Sequence, residues 1–478
     1  MKINFRLLFL VLLIAAVFFA FGCKTTPLSE GGSPEGTPEN PVTPIEGGDI
    51  ERPEPPEEDT FLKVEESLLE GDTDAALETL DAYIEKEPED LQTLVLKAAL
   101  LMSDGEVVEA RALLDRVLSE EPENIDALFQ LSILEGWEGN RETQLALLEK
   151  ISELDPENGD VLASIGDFHF LDKDYDEAEK AYMKALELEP ANISALTGYG
   201  NLLMQKGDYD EAEERYDSIV EIYPSDPFVY GDRSRARIAQ ENYVGAEEDL
   251  SEAVDLSPNY YWNYVDRGKL RLNNLYNANT AIEDFNKAIA LEPDYFYAYI
   301  FRAGILDDTG EIDKAISDYK KLIELKPDYY FAFRSLGILQ YLKGEWEEAR
   351  QNLMESFSYE EDPGVLLLTA FTYFREDRDK EGKDFIKNIL DSFPRDDHFY
   401  NIGRMAIDPG YEVFALKGIE EEQDMFVKTR MKFYVGALLQ AMGGDSLAYT
   451  YYDDVRELNL LGMYERRIAL KELEVLDD

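Results

Sequence analysis

Two histidines and one cysteine in 478 residues leave this chain poorly equipped for catalysis. A single cysteine rules out an intrachain disulfide and every zinc spacing built from cysteine pairs. His169 falls at a packing position, and His398 lies in an irregular stretch with no recognisable partner. No Gly-rich phosphate loop is present. The run Asp172-Lys173-Asp174-Tyr175-Asp176 begins like a calcium loop but lacks its glycine and terminal glutamate. Basic residues are scarce as well. There are 46 Lys and Arg against 102 Asp and Glu, for a formal charge of −56. That balance excludes nucleic acid, where lysine and arginine must neutralise phosphate. It equally disfavours a fold lying on an anionic membrane. The expectation is a protein without catalytic residues, metal or cofactor. An enzyme seated in residues 398–478 is the least supported alternative, because that segment carries no acid–base constellation.

Long apolar runs are missing except at the start. Met1–Gly22 has Lys2 and Arg6 before an uncharged run, Leu7–Gly22, too short for a membrane span of about 20 apolar residues. It reads as a signal peptide, residues 1–22. The chain's single cysteine, Cys23, comes directly after it and resembles the lipid-attachment cysteine of bacterial lipoproteins, although the usual leucine three residues earlier is absent. An uncleaved signal anchor and an ordinary secretory signal are the alternatives. All three place the remainder of the chain outside the cytoplasm. Residues 23–60 are dense in proline and glycine (SPEGTPENPVTPIEGG, ERPEPPEED) and nearly free of large apolar side chains. Such a linker cannot offset its ordering entropy by burial, and spans roughly 30–40 Å as a flexible chain.

What the chain has instead is a period. Proline stands at 88, 122, 156, 190, 224 and 258, returns one residue late at 293, and is on time again at 327. A fixed spacing of 34 marks a stacked helix–turn–helix unit. With proline at position 32, position 8 holds Gly166, Gly200, Gly268 and Gly337, and position 20 holds alanine from Ala76 to Ala349. Small residues there allow close helix approach. Large ones at position 24, such as Tyr182, Tyr216 and Phe285, fill the gap beside them.

These residues resemble the tetratricopeptide repeat (TPR) family, nearly in full over Gly207–Pro224 and Gly310–Pro327. The resemblance implies an all-α, right-handed solenoid of about ten units over 61–397. Residues 398–478 form a divergent helical end with one degenerate unit (Gly436, Gly443, Ala448, Tyr452). Departures fall at Ser132 and Gln144, at Glu361, and at Gly382.

Two constellations stand out. Arg233, Arg267 and Arg302 recur at position 7, and the same three units carry Asp249, Asp284 and Asp318 at position 23. Structural ion pairs between the two helices of each unit are expected. The family resemblance also implies a concave groove lined from positions 2, 5, 9, 12 and 13 of the first helix. Position 2 reads Phe228, Trp262, Tyr297 and Phe331. Arg235, Lys269 and Arg334 occupy positions 5 and 9, and Tyr341 position 12. Aromatics beside arginine are the usual anchors of interfaces, so these eight residues form a partner-binding strip. The alternative is that position 2 packs on the adjacent unit. The expected function is a lipid-anchored scaffold or assembly factor of the bacterial cell envelope, binding proteins or peptides in the groove. The alternative is a surface or periplasmic receptor for a small ligand or peptide.

Overall fold

The computed structural model describes residues 58–69, 71–390, 393–458 and 463–477. The expected signal, Cys23 and all of the linker up to residue 57 lie outside the described residues. The final stretch assigned to that linker is helical: the first helix is Glu58–Leu69, which buries Val64 against Ala76 and Leu80. The described residues hold 25 α-helices and no strand. None of these helices is long and apolar enough to cross a membrane.

The chain divides into two compact units at Pro224 and Ser225. In the first, five antiparallel helix pairs succeed one another from Glu58–Leu69 to Tyr209–Ile222. In the second, five more run from Pro227–Ala239 to Asp379–Ile389. Each is one repeat, and the reason lies in three contacts. First, the position-20 alanines are fully buried. Second, the glycines at position 8 face rings: a Cβ on Gly166 would stand 2.5 Å from Tyr182, and one on Gly200 2.8 Å from Tyr216. Third, each pair turns through one left-handed residue. It is Gly71, Gly105, Gly139, Gly207, Gly310 or Gly344 in six pairs, and Lys173, Glu241, Tyr276 or Asp377 in the other four. The unit at Ile125 compensates for its bulky Gln144 by placing Gly136 opposite, where a Cβ would stand 2.7 Å from the Gln144 side-chain nitrogen.

Beyond the repeats, His398–Ile407 and Glu412–Glu421 form a short helical hairpin around a single 3-10 turn, where the Gly410 amide donates to Asp408 at 3.0 Å. His398 has a partner there, Glu422, at 3.5 Å. Met425–Ala441 and Asp445–Glu457 then form an eleventh repeat-like pair, with Gly436 against Tyr452. Met425–Ala441 does not extend the stack. It packs back on Pro363–Phe374, with Tyr434 against Phe371 and Phe399. The final helix, Tyr464–Asp477, buries Ile468, Ala469 and Leu473 in the same core.

Candidate partner-binding surface

The second unit sacrifices a local rule three times in succession. Six described first helices begin on Asp or Asn, whose side chain accepts from the helix's own amides: Asp90, Asn124, Asn158, Asn192, Asp226 and Asp362. At Tyr261–Asn273, Phe296–Asp308 and Tyr330–Lys343 the cap is instead Tyr260, Tyr295 or Tyr329, with no side-chain cap bond. Losing such a cap costs about 1 kcal/mol. A cost repeated in three consecutive units needs a compensating contact, and the rings supply it.

Phe228 meets Tyr260 at 5.5 Å, Tyr260 meets Tyr261 at 6.2 Å, and Tyr261 stacks on Trp262 at 5.4 Å. Trp262 lies 4.9 Å from Tyr295, which lies 5.7 Å from Tyr297. A second string links Tyr329 to Phe331, Phe331 to Tyr330, and Tyr330 to Tyr359. Trp262, Tyr297 and Phe331 remain 37%, 47% and 43% exposed. The position-2 residues thus pack on the cap tyrosines and still present a face to water, combining both expectations. Burial, with Tyr261 beside it, pushes the Tyr295 hydroxyl up, and burial does the same at Tyr329. Both phenols stay protonated and able to donate. Sequence reasoning missed the three cap tyrosines. Their signal was the loss of Asp or Asn where the neighbouring units keep it.

The basic residues of the strip are all paired with acids: Arg235 with Asp232, Lys269 with Asp266 at 3.2 Å, and Arg334 with Glu360 at 3.0 Å. Arg334 also stands 5.6 Å over the Phe331 ring. Exposed pairs of this kind are worth about 0–1 kcal/mol and exchange readily.

Tyr341 does not belong to the strip. It is 3% exposed, packed edge-on against Trp346 at 5.1 Å and hydrogen-bonded with Arg375. Burial pushes its hydroxyl up to about 12. The cause is the C-terminal helix, Tyr464–Asp477, which reaches the C-terminal turns of Phe296–Asp308 and Tyr330–Lys343. Arg467 pairs with Asp307 at 2.5 Å, Glu472 pairs with Arg375, and Arg430 joins Glu465 to Asp362 at 2.6 Å each. The groove is therefore open along the N-terminal turns, from Phe228 to Phe331, and filled by the chain's own helix further along.

Behind the strip, the Arg and Asp residues meet. Arg233 donates to Asp249 at 2.6 Å, Arg267 to Asp284 at 2.7 Å and Arg302 to Asp318 at 2.7 Å. Each guanidinium stands over a tyrosine of its own helix, Tyr230, Tyr264 or Tyr299. Reading the sequence alone missed second donors: Arg237 reaches Asp249 at 2.9 Å and Arg271 reaches Asp284 at 2.8 Å. These clamps lock each first helix to its second and hold the rings in register. Among the described residues, no group of histidine, cysteine and carboxylate side chains could hold a metal.

Family models described as tetratricopeptide repeat match residues 67–132, 169–231 and 296–329. A tetratricopeptide repeat protein from Parabacteroides merdae aligns over 52% of this chain and 98% of its own, at 24% identity and a TM-score of 0.39. The Pseudomonas aeruginosa protein pilF aligns over 45% and 96%, at 20% identity and TM-score 0.39. YrrB, described as a TPR protein with an unusual peptide-binding site, aligns over 38% and 94%, at 21% and 0.34. No curated protein matches the chain. The matched segments coincide with helix pairs built on the 34-residue period, and the chain contains tetratricopeptide repeats there.

Proposed function

We propose that this protein is a binding scaffold of the bacterial cell envelope. Lipid at Cys23 tethers it to the membrane, and Phe228, Trp262, Tyr297 and Phe331 hold a peptide segment of a partner protein. TPR units bind protein or peptide partners. The observation that carries the reading is the exchange of Asp or Asn caps for Tyr260, Tyr295 and Tyr329, which builds exposed aromatic rings at a cost in helix stability. Rings held by their neighbours lose little entropy on binding. The strongly acidic composition suits a tethered protein that must stay soluble, and keeps nucleic acid away.

The test is affinity capture from envelope extract with the full chain and with a variant carrying serine at Phe228, Trp262, Tyr297 and Phe331, after circular dichroism shows both folded. Partners held by the first and lost by the second support the strip. Partners held equally by both would refute it. Incorporation of a labelled fatty acid, abolished by Cys23→Ser, tests the anchor.

A further inference from the structure

Glycine weakens a helix relative to alanine, so a helical glycine needs a reason. In the strip, Gly268 makes room for Phe285 and Gly337 for Leu353. Of the glycines inside described helices, only Gly231 and Gly304 would find nothing within 4 Å of an added Cβ. Both lie in first helices of the strip. Packing does not call for them. What they leave is bare helix backbone, open to the close approach of a ligand.

The surroundings of Gly304 define that ligand. Tyr297, Phe301, Gly304 and Asp308 follow at helical spacing and share one face of Phe296–Asp308. Tyr297 is exposed, Phe301 is half-buried and stacked on Phe285 at 5.2 Å, and Asp308 is exposed. The notch at Gly304 therefore has rings on one side and a carboxylate on the other. Among the described residues no hydrogen bond or ion pair engages the Asp308 side chain, because Arg467 pairs instead with the neighbouring Asp307. Partial desolvation and the Asp307 carboxylate push the Asp308 carboxyl up, against the pull of Arg467. Asp308 also ends its helix, where the backbone dipole disfavours negative charge. The site lacks a cation. At Gly231 the residue one turn on is Arg235, already paired with Asp232, so that notch makes no such demand.

Resting on the reading of the strip as a peptide-binding surface, we propose that the Gly304 notch takes a lysine or arginine side chain of the bound peptide. The aliphatic stem lies on the bare backbone beside the Phe301 ring, and the charged head meets the Asp308 carboxylate. One helical turn, about 5.4 Å, separates Gly304 from Asp308, within reach of either side chain. A methyl group at position 304 would stand where the stem lies. The exposed rings supply apolar contact to many sequences. Gly304 and Asp308 narrow these to peptides with a basic residue, which the formal charge of −56 also draws toward the chain.

The probe is a displayed library of random short peptides, selected on the full-length chain in detergent and counter-selected on the variant with serine at Phe228, Trp262, Tyr297 and Phe331. Ring-dependent binders are expected to share a lysine or arginine. Asp308→Asn, and separately norleucine in place of that peptide residue, should each weaken binding about tenfold, and together no further. Gly304→Ala should weaken binding by a similar factor while raising the urea midpoint, a combination that loss of structure cannot produce. Ring-dependent binders without a shared basic residue, or binders held equally by Asp308→Asn and Gly304→Ala, would overturn the proposal and leave the peptide-binding strip standing. A midpoint lowered by Gly304→Ala would make the glycine a packing residue and overturn it too. If the library yields no ring-dependent binder, the strip itself fails as a peptide site and the notch with it.

Discussion

Arg302 and Asp318 are the residues on which the clamp is best measured. Asp284 has two arginines and Asp249 has two, so removing one donor from either leaves the carboxylate partly paired. Asp318, 4% exposed, is held by Arg302 in a two-bond fork. Breaking a buried pair by deleting one partner costs more than deleting both. We expect Arg302→Ala to destabilise by about 3 kcal/mol and the double change with Asp318→Ala to recover part of that loss. Urea unfolding of the four proteins checks it, and strictly additive losses would refute the clamp. A second residue carries a pH signature. Asp167 accepts from Tyr182 at 2.6 Å, and burial pushes its carboxyl from 3.8 up to about 6. The folded state therefore holds this proton more tightly than the unfolded state. The contribution is full below about pH 4 and is lost as pH rises through 6. Asp167→Asn keeps an acceptor for Tyr182 and removes the charge. Its melting temperature should exceed that of the parent at pH 7.5, with the gap closing by pH 4. The side chain retains access to water, so the gain is smaller than the shift alone implies.

Helix pairs were the most legible feature of the sequence, because proline, glycine and alanine act locally. Pro88 to Pro327 mark unit ends, and small residues at positions 8 and 20 mark the crossings. What the sequence hid was relational. Tyr260, Tyr295 and Tyr329 escaped notice, since a cap is recognised by the residue that should be there and is not. Arg237 and Arg271 sit one turn beyond Arg233 and Arg267, so each shares a carboxylate that pairwise reading assigned once. Tyr341 was misplaced because its cover, the helix Tyr464–Asp477, comes from more than a hundred residues away. The inter-helix turns offer the test at this scale. Lys173 and Glu241 hold φ of 63° and 61° where other units use glycine. Left-handed backbone costs an L-residue about 1–2 kcal/mol, and glycine gives part of that back through its greater unfolded-state entropy. Glu241→Gly and Lys173→Gly should each stabilise by about 0.5–1 kcal/mol, seen as a shift in urea midpoint at unchanged slope. Glu241 is exposed, so no packing contact confounds the change.

Repeat proteins couple through neighbours, so a lesion at one end need not be felt at the other. The C-terminal helix is where this chain departs from that rule, because it and the pair before it are tied to two earlier first helices, Phe296–Asp308 through Asp307 and Pro363–Phe374 through its two ends, Asp362 and Arg375. It also buries Leu473 to 3% exposure in a core shared with Val365, Phe371 and Tyr434. Leu473→Ala should cost about 2–5 kcal/mol. Because the helix bridges several repeats, the loss should spread beyond its own contacts. Amide exchange is expected to accelerate together over Tyr330–Lys343, Pro363–Phe374 and Met425–Ala441, while Leu91–Ser103 and Ile193–Lys206 keep their protection. If exchange rises only within Tyr464–Asp477, the helix is a passive cover. If it rises throughout the chain, all the repeats unfold as one cooperative body. The first outcome would leave the C-terminal turns of the groove available to a partner at little cost. The coordinated outcome would confine binding to the aromatic strip that the helix leaves open.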